Sequence, residues 1–327
     1  MSTLYSYPLK PASWNERDVL LFATSIDIDP SQLQYLYENH PKFTPFPTYP
    51  IALTFKHNHT TTTSFASHFT QHLTPPPNFI PDFPKLDITR VVDGQRTLQI
   101  LRTIPTTSKG RDFRIRSTVT GVWDKGRGKP TIIQTDHVLL EIPKVATTFG
   151  GRKVEEIFTR MSETAIFMGQ GGWGGPNPPC PSGTDTFKPA RHPDVTHHHP
   201  IPSNAHLVYR LNGDYNPLHA TGVQAAIVQP TPIMHGLYSW NVVAGIVVKR
   251  FGGVLRRFRA RFAKPVRPGD GLEVEMWRVE KGGGEFEVRF EARVEGKVVL
   301  AEGVAGLEGG RGEVGQVRKV QELVSRL

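Results

Sequence analysis

Between Ile233 and Arg250, apolar side chains recur on every side of a helical projection: Ile233, Met234, Leu237, Tyr238, Trp240, Val242, Val243, Ile246, Val247 and Val248. A helix with no polar face is a buried one. The period then changes. From Val254 to Lys264, Phe258, Ala260 and Phe262 alternate with Arg257, Arg259 and Arg261, which predicts a strand with one packed face and one basic face. Three more strands are expected at Leu272–Val279, Phe286–Val294 and Lys297–Leu307, separated by Gly282-Gly-Gly and Glu295-Gly296 turns.

The first half has a similar grammar with weaker signals. Trp14–Ala23 reads as a helix capped by Asn15, and Ser31–Glu38 as a second, shorter one. Leu98–Ile104, Phe113–Trp123 and Thr131–Ile142 read as an antiparallel meander. Pro41–Pro50 and Asn58–Asp82 are rich in Pro, Thr, His and aromatic residues and are expected to be loop. Between Phe149 and Ser203, glycine and proline clusters predict a connector.

One half echoes the other. Arg102-Thr-Ile-Pro105, Lys109-Gly110, a strand to Trp123 and Lys125-Gly126 parallel Phe262-Ala-Lys-Pro265, Pro268-Gly269, a strand to Trp277 and Lys281-Gly282. Two copies of one unit are expected, each a buried helix wrapped by an antiparallel sheet, which makes the chain an α+β protein of double hot-dog type. The expected units are an amino-terminal half (1–168), a connector (169–205), a carboxy-terminal half (206–308) and a tail (309–327).

Composition narrows the setting. At 327 residues, 38% hydrophobic and 21% charged, the chain has enough apolar material for a sizeable core. Its single cysteine, Cys180, excludes an internal disulfide and makes a zinc-thiolate site improbable, which fits a reducing compartment. No apolar run approaches the roughly 18 residues of a membrane span. A net charge of +9 points to an anionic partner. Nucleic acid is disfavoured because the Arg257, Arg259, Arg261 stripe lacks interleaved exposed aromatics. Metal binding at His197-His198-His199 is disfavoured because adjacent residues rarely converge on one ion. Gly171-Gly-Trp-Gly-Gly175 is followed by no Gly-Lys-Ser/Thr element and reads as a connector turn.

Chemistry concentrates after Tyr209. Asn216 before Pro217 predicts a helix start that sets His219 in the first turn, with Asp214 on the loop just upstream. A carboxylate, an amide and an imidazole can then face one point, and His235-Gly236 opens the long apolar helix nearby.

Tyr209-Arg-Leu-Asn-Gly-Asp214-Tyr-Asn216-Pro-Leu-His219, Pro232-Ile-Met-His-Gly236-Leu, Ala260-Arg-Phe-Ala-Lys-Pro265 and Glu275-Met-Trp277 closely resemble the hydratase 2 (MaoC-like) family. The likeness is greatest to the 2-enoyl-CoA hydratase 2 domain of peroxisomal multifunctional enzyme type 2. It extends into the first half through Glu16-Arg-Asp18, Tyr35-Leu-Tyr37, Val122-Trp-Asp-Lys-Gly126 and Gly169-Gln-Gly-Gly-Trp-Gly174. The resemblance implies a double hot-dog fold whose second half is catalytic and whose degenerate first half accommodates the acyl chain. It implies reversible hydration of trans-2-enoyl-CoA to (3R)-3-hydroxyacyl-CoA, with no metal and no cofactor beyond the CoA of the substrate.

Asp214, Asn216 and His219 would hold and activate the water, with either Asp214 or His219 as the base, and the Gly236 N–H would serve the thioester oxygen. Ligand contact is carried over to Asp93, Gly94, Lys125 and Phe262, although related proteins tend to have His-Gly where this chain has Asp93-Gly94. A homodimer and a role in fatty-acid β-oxidation are further implications. The terminal Ser325-Arg326-Leu327 is close to a peroxisomal address, so an import receptor is an expected partner and the peroxisome the expected location. Alternatives are a hot-dog acyl-CoA thioesterase, a hydratase for a specialised acyl-CoA of secondary metabolism, and an inactive acyl-CoA-binding scaffold.

Overall fold

Two short strands, β1 (Tyr5–Ser6) and β2 (Lys10–Ala12), lead into helix α1 (Glu16–Ser25). Asn15 caps α1 as expected: its Oδ1 accepts the Asp18 N–H at 3.1 Å, and Asp18 Oδ2 accepts the Asn15 N–H at 2.9 Å. Such a reciprocal cap stabilises a helix start by about 1 kcal/mol. The computed structural model describes residues 4–56, 74–143, 148–149, 152–153, 155–179, 187–224, 227–228 and 231–309. Cys180, the 57–73 stretch and the terminal Ser325-Arg326-Leu327 lie outside the described residues.

Helix α2 (Leu33–Leu36) is only one turn, with no side-chain cap at Gln32, so it is shorter than the 31–38 segment the pattern predicts. A 3-10 helix, Tyr49–Thr54, follows with all six residues buried, beginning inside the Pro-rich stretch expected to be loop. Proline is tolerated in a first helical turn, which reconciles Pro50 with that helix. Trp14 locks this layer together, its ring 4.6 Å from that of Phe113 and 6.4 Å from that of Tyr49.

The first-half strands are β3 (Val91–Ile100), β4 (Phe113–Asp124), β5 (Thr131–Glu141) and β8 (Glu156–Phe167), with a small hairpin of β6 (Thr148–Phe149) and β7 (Arg152–Lys153) between the last two. The segment read as a connector, Phe149–Ser203, holds β7, β8 and β9 (Val195–Pro200) among its described residues. Two short helices follow, α3 (Ala205–Tyr209) and α4 (Leu218–Thr221). After the hairpin β10 (Val223–Gln224) and β11 (Ile227–Val228) comes α5 (Gly236–Phe251), then β12 (Val254–Phe262), β13 (Gly271–Gly282), β14 (Glu285–Val294) and β15 (Lys297–Glu308).

All the larger strands join one antiparallel sheet in the order β1-β4-β5-β8-β3-β12-β15-β14-β13-β9, with β2 also on β4. The halves meet at β3 and β12, where Leu98 lies opposite Phe258. Helix α5 sits within the second half with thirteen of its sixteen residues buried, including Trp240, Val243 and Phe251. This is the double hot-dog architecture. The copies are unequal among the described residues, because the second is built on a sixteen-residue helix and the first on a six-residue 3-10 helix. No described helix is long and apolar enough to cross a membrane.

Two motifs prove to be internal fastenings. Asp124 Oδ1 accepts the N–H groups of Gly126 and Gly172 at 2.7 and 2.8 Å, and its Oδ2 accepts that of Gly174 at 2.9 Å, so the Gly-Trp-Gly run wraps a carboxylate. The three histidines lie on β9 and go to separate partners. His197 Nδ1 accepts from Arg250 at 3.0 Å, His199 Nε2 is 3.2 Å from Asp27, and His198 is 3.6 Å from Glu273.

Candidate active site

The loop before α4 is shaped by a glycine. Gly213 has φ of 114°, and a Cβ there would come within 2.9 Å of the Lys56 backbone, so the chain turns sharply against the first half before presenting Asp214. Asp214 Oδ1 accepts the Asn216 N–H at 3.2 Å, and Asn216 Oδ1 accepts the Leu218 N–H at 3.0 Å. The two bonds start α4, as the Asn-Pro signal predicts, and place His219 in its single turn.

His219 is buried, and its Nδ1 lies 2.9 Å from the carbonyl oxygen of Ile233. A carbonyl can only accept, so Nδ1 carries the proton and Nε2 offers a lone pair. Burial pulls the His219 pKa below its usual value, against the opposing pull of the Asp214 charge and the Ile233 bond. The imidazole is therefore a neutral proton acceptor at pH 7.

His235 completes the cluster and was not among the residues expected to act. Its ring stacks on His219, and its Nε2 donates to the backbone oxygen of Asp214 at 3.1 Å, with Asp214 Oδ2 a further 3.9 Å away from the same atom. Burial, then the neighbouring His219, drive its pKa well below the ordinary value. The sequence signal was adjacency to Gly236. Asp214, His219 and His235 present ligand-type atoms within 4.8 Å of one another, enough to hold a metal ion. Two of their nitrogens, His219 Nδ1 and His235 Nε2, are committed to carbonyl oxygens, which leaves one free nitrogen on each ring and the Asp214 carboxylate for such an ion.

Gly236 opens α5, where the first N–H groups have no partner within the helix and the helix dipole is positive. A Cβ on Gly236 would lie 3.0 Å from the Phe262 ring, so the two residues are in close contact. Both face a cavity of about 530 Å³ that also takes in Asp214, Asn216, His219 and His235. The cavity is bounded by Val91, Asp93, Arg96, Glu163 and Ile166 from the first half and by Leu237, Lys264 and Val266 from the second.

Of the expected ligand contacts, the structure brings Asp93 and Phe262 to the cavity wall and leaves Gly94 and Lys125 off it. Gly94 is buried behind the wall, where a Cβ would meet Ile166 Cδ1 at 2.8 Å. Lys125 is an exposed turn residue whose N–H bonds to Pro130 O at 3.1 Å. Lys264, exposed at the cavity edge, is the cation the structure places there.

Comparison with known proteins agrees with this geometry. The family pattern of the MaoC like domain matches residues 186–299, and that of the MFE-2 hydratase 2 N-terminal domain matches residues 13–142. The chain is 40% identical over 318 residues to the probable dehydratase NIT22 of Ajellomyces capsulatus, covering 92% of this chain and 80% of that one. It is 28% identical to the peroxisomal enoyl-CoA hydratase 2 of Arabidopsis thaliana, covering 81% and 82%. The crystal structure of a MaoC-like dehydratase from Phytophthora capsici superposes with a TM-score of 0.72 at 26% identity, covering 93% and 96%. A double hot-dog sheet with an Asp-Asn-His cluster at a helix start defines a hydro-lyase of the MaoC-like class. The chain belongs to the MaoC-like, hydratase 2 family.

Proposed function

We propose that the protein is an (R)-specific 2-enoyl-CoA hydratase, adding water reversibly to trans-2-enoyl-CoA to give (3R)-3-hydroxyacyl-CoA. The observation that carries the proposal is the meeting of Asp214, a neutral His219 with a free Nε2, and the Gly236 N–H on one cavity. A water held between Asp214 and His219 gives its oxygen to C3 and one proton to the pair. The electrons of the C2–C3 bond move toward the thioester oxygen, which accepts the Gly236 N–H at the positive end of α5. The pair then returns a proton to C2, so H and OH are added in balance. No metal and no cofactor enters this scheme.

Lys264 at the cavity edge suits a CoA phosphate, and Lys125, which lies off the cavity wall, is retained as a phosphate contact on the family resemblance alone. Fatty-acid β-oxidation and a peroxisomal location are part of the proposal, the location supported by the peroxisomal name of the Arabidopsis relative. Homodimerisation is proposed on the family resemblance alone. The test is chiral analysis of the product formed from crotonyl-CoA. The (3R)-hydroxy thioester supports the proposal, and the (3S) isomer, or free thiol from a thioesterase, sinks it.

A further inference from the structure

The inner face of the first-half sheet carries a stripe of polar side chains where a hot-dog sheet ordinarily packs apolar ones. It runs from Ser117 on β4 through His137 on β5 and Glu163 on β8 to Arg96 and Asp93 on β3. Strand pairing sets the line, since Ser117 lies opposite His137 and Glu163 opposite Arg96. Ser117 Oγ is 2.8 Å from His137 Nδ1, and His137 Nε2 is 3.6 Å from Glu163 Oε2. Glu163 forms an ion pair with Arg96 Nη1, and Arg96 Nε and Nη2 both donate to Asp93 Oδ1, at 3.0 and 2.8 Å.

Residues three apart on a regular strand point to opposite faces. Asp93 and Arg96 share a face because β3 bulges at Gly94: Asp93 lies opposite Ala165, yet Gln95 lies opposite Thr164. The bulge delivers the carboxylate to the cavity. Asp93 is set deep in the protein but keeps 28% of its side-chain surface and is part of the cavity wall. Its Oδ1 takes both Arg96 bonds, which leaves Oδ2 with no hydrogen-bond donor among the described residues.

Stability does not call for this arrangement, because a buried ion network is generally no more stabilising than well-packed apolar residues of the same volume. Its charge defines a complementary ligand. One guanidinium faces Asp93 and Glu163, and the Asp214 carboxylate acts electrostatically on both Asp93 and Arg96, so the wall carries more negative than positive charge. An acyl carboxylate would be repelled, a methyl end would strand the carboxylate oxygen, and a hydroxyl would donate to it without adding a buried charge.

We propose that Asp93, held by Arg96, is a specificity-determining residue that binds a hydroxyl substituent on the acyl chain, so that hydroxylated enoyl thioesters are preferred over unsubstituted ones. The inference rests on the hydratase reading and deepens it. The experiment compares enoyl-CoA pairs of matched length, from short to long, that end in methyl, hydroxymethyl or carboxylate. At one length the hydroxyl member is expected to exceed the methyl member in kcat/KM by about 10-fold or more, chiefly through KM. Asp93→Ala brings the pair to within about 2-fold of each other, and Asp93→Asn, which keeps an acceptor, falls between. Hydration without a hydroxyl preference at any length, or a preference unchanged in Asp93→Ala, overturns the proposal alone. No hydration of any thioester overturns the hydratase reading and the proposal together.

Discussion

The imidazole of His219 lies face to face with that of His235, ring centroids 3.6 Å apart and planes inclined by 27°. Each ring is tethered to a different carbonyl, that of Ile233 for His219 and that of Asp214 for His235. The stack therefore ties His219, the proposed proton acceptor, to the loop that carries Asp214. On the proposed mechanism His235 is expected to act through these neighbours, as a positioning residue.

Removing that support affects turnover more than binding. His235→Ala is expected to lower kcat by about 10-fold or more, since small misplacements of reacting groups are costly. The variant also admits water beside His219, so the acidic limb of the kcat/KM profile moves to higher pH. Steady-state kinetics across pH check both effects, and a changed KM alone contradicts the positioning role.

The histidines also set an acid limit on folding. His197, His206, His219 and His235 all have pKa values lowered from 6.5 in the folded state, burial being the largest cause for each. Below about 6.5 the unfolded chain binds more protons than the folded one, so stability falls as pH drops through that value, by at most about 1.4 kcal/mol per pH unit for each histidine. Urea unfolding at a series of pH values checks the slope. His235→Phe, which keeps an aromatic ring and removes the titrating group, makes it shallower.

Gly236 and Phe262 test the oxyanion site as a pair. Gly236→Ala sets a Cβ 3.0 Å from the Phe262 ring, so either the ring or the start of α5 must shift. Loss of about 10-fold or more in kcat is expected from the displaced N–H, with the fold retained. Phe262→Leu in the same chain relieves the contact and recovers part of the loss. Kinetics of the single and double variants read the coupling directly.

The ion network is predicted to resist partial deletion. Burial alone would raise the Glu163 carboxyl, but Arg96 and His137 hold it down at about 2. Arg96→Met leaves Asp93 and Glu163 facing each other without a cation, a change that costs about 3–5 kcal/mol when a buried pair is broken. Arg96→Met with Glu163→Gln is expected to regain part of that stability. Thermal unfolding of the two variants checks the order.

Where side chains follow a simple period, the sequence was easy to read. Helix α5 and strands β12 to β15 lie within a few residues of their expected places because Trp240, Val243, Phe258 and Phe290 obey helix or strand spacing without interruption. Strand β8 escaped because Glu163 stands on its inner face between Met161 and Ala165, and the start of β3 escaped because Asp93, Gln95 and Arg96 hide its alternation. Asp93, Arg96 and Glu163 line the cavity, so the same chemistry that obscured the strands shapes the site. The gathering of Asp214, Asn216 and His219 about one short helix start was legible because capping and turn rules act locally, whereas Gly236 entered through the family resemblance. The His219–His235 stack depends on how α4 packs against the start of α5, and the absence of Lys125 from the cavity wall on how the halves meet, neither of which local spacing encodes.

The hydration of crotonyl-CoA by wild-type protein, Asp214→Asn and His219→Ala tests the central claim most directly, followed as loss of the conjugated thioester absorbance. The wild type is expected to remove the absorbance, and each variant to lose at least about 100-fold in kcat with circular dichroism unchanged. Full activity in both variants, or no hydration by a folded wild type, contradicts the account.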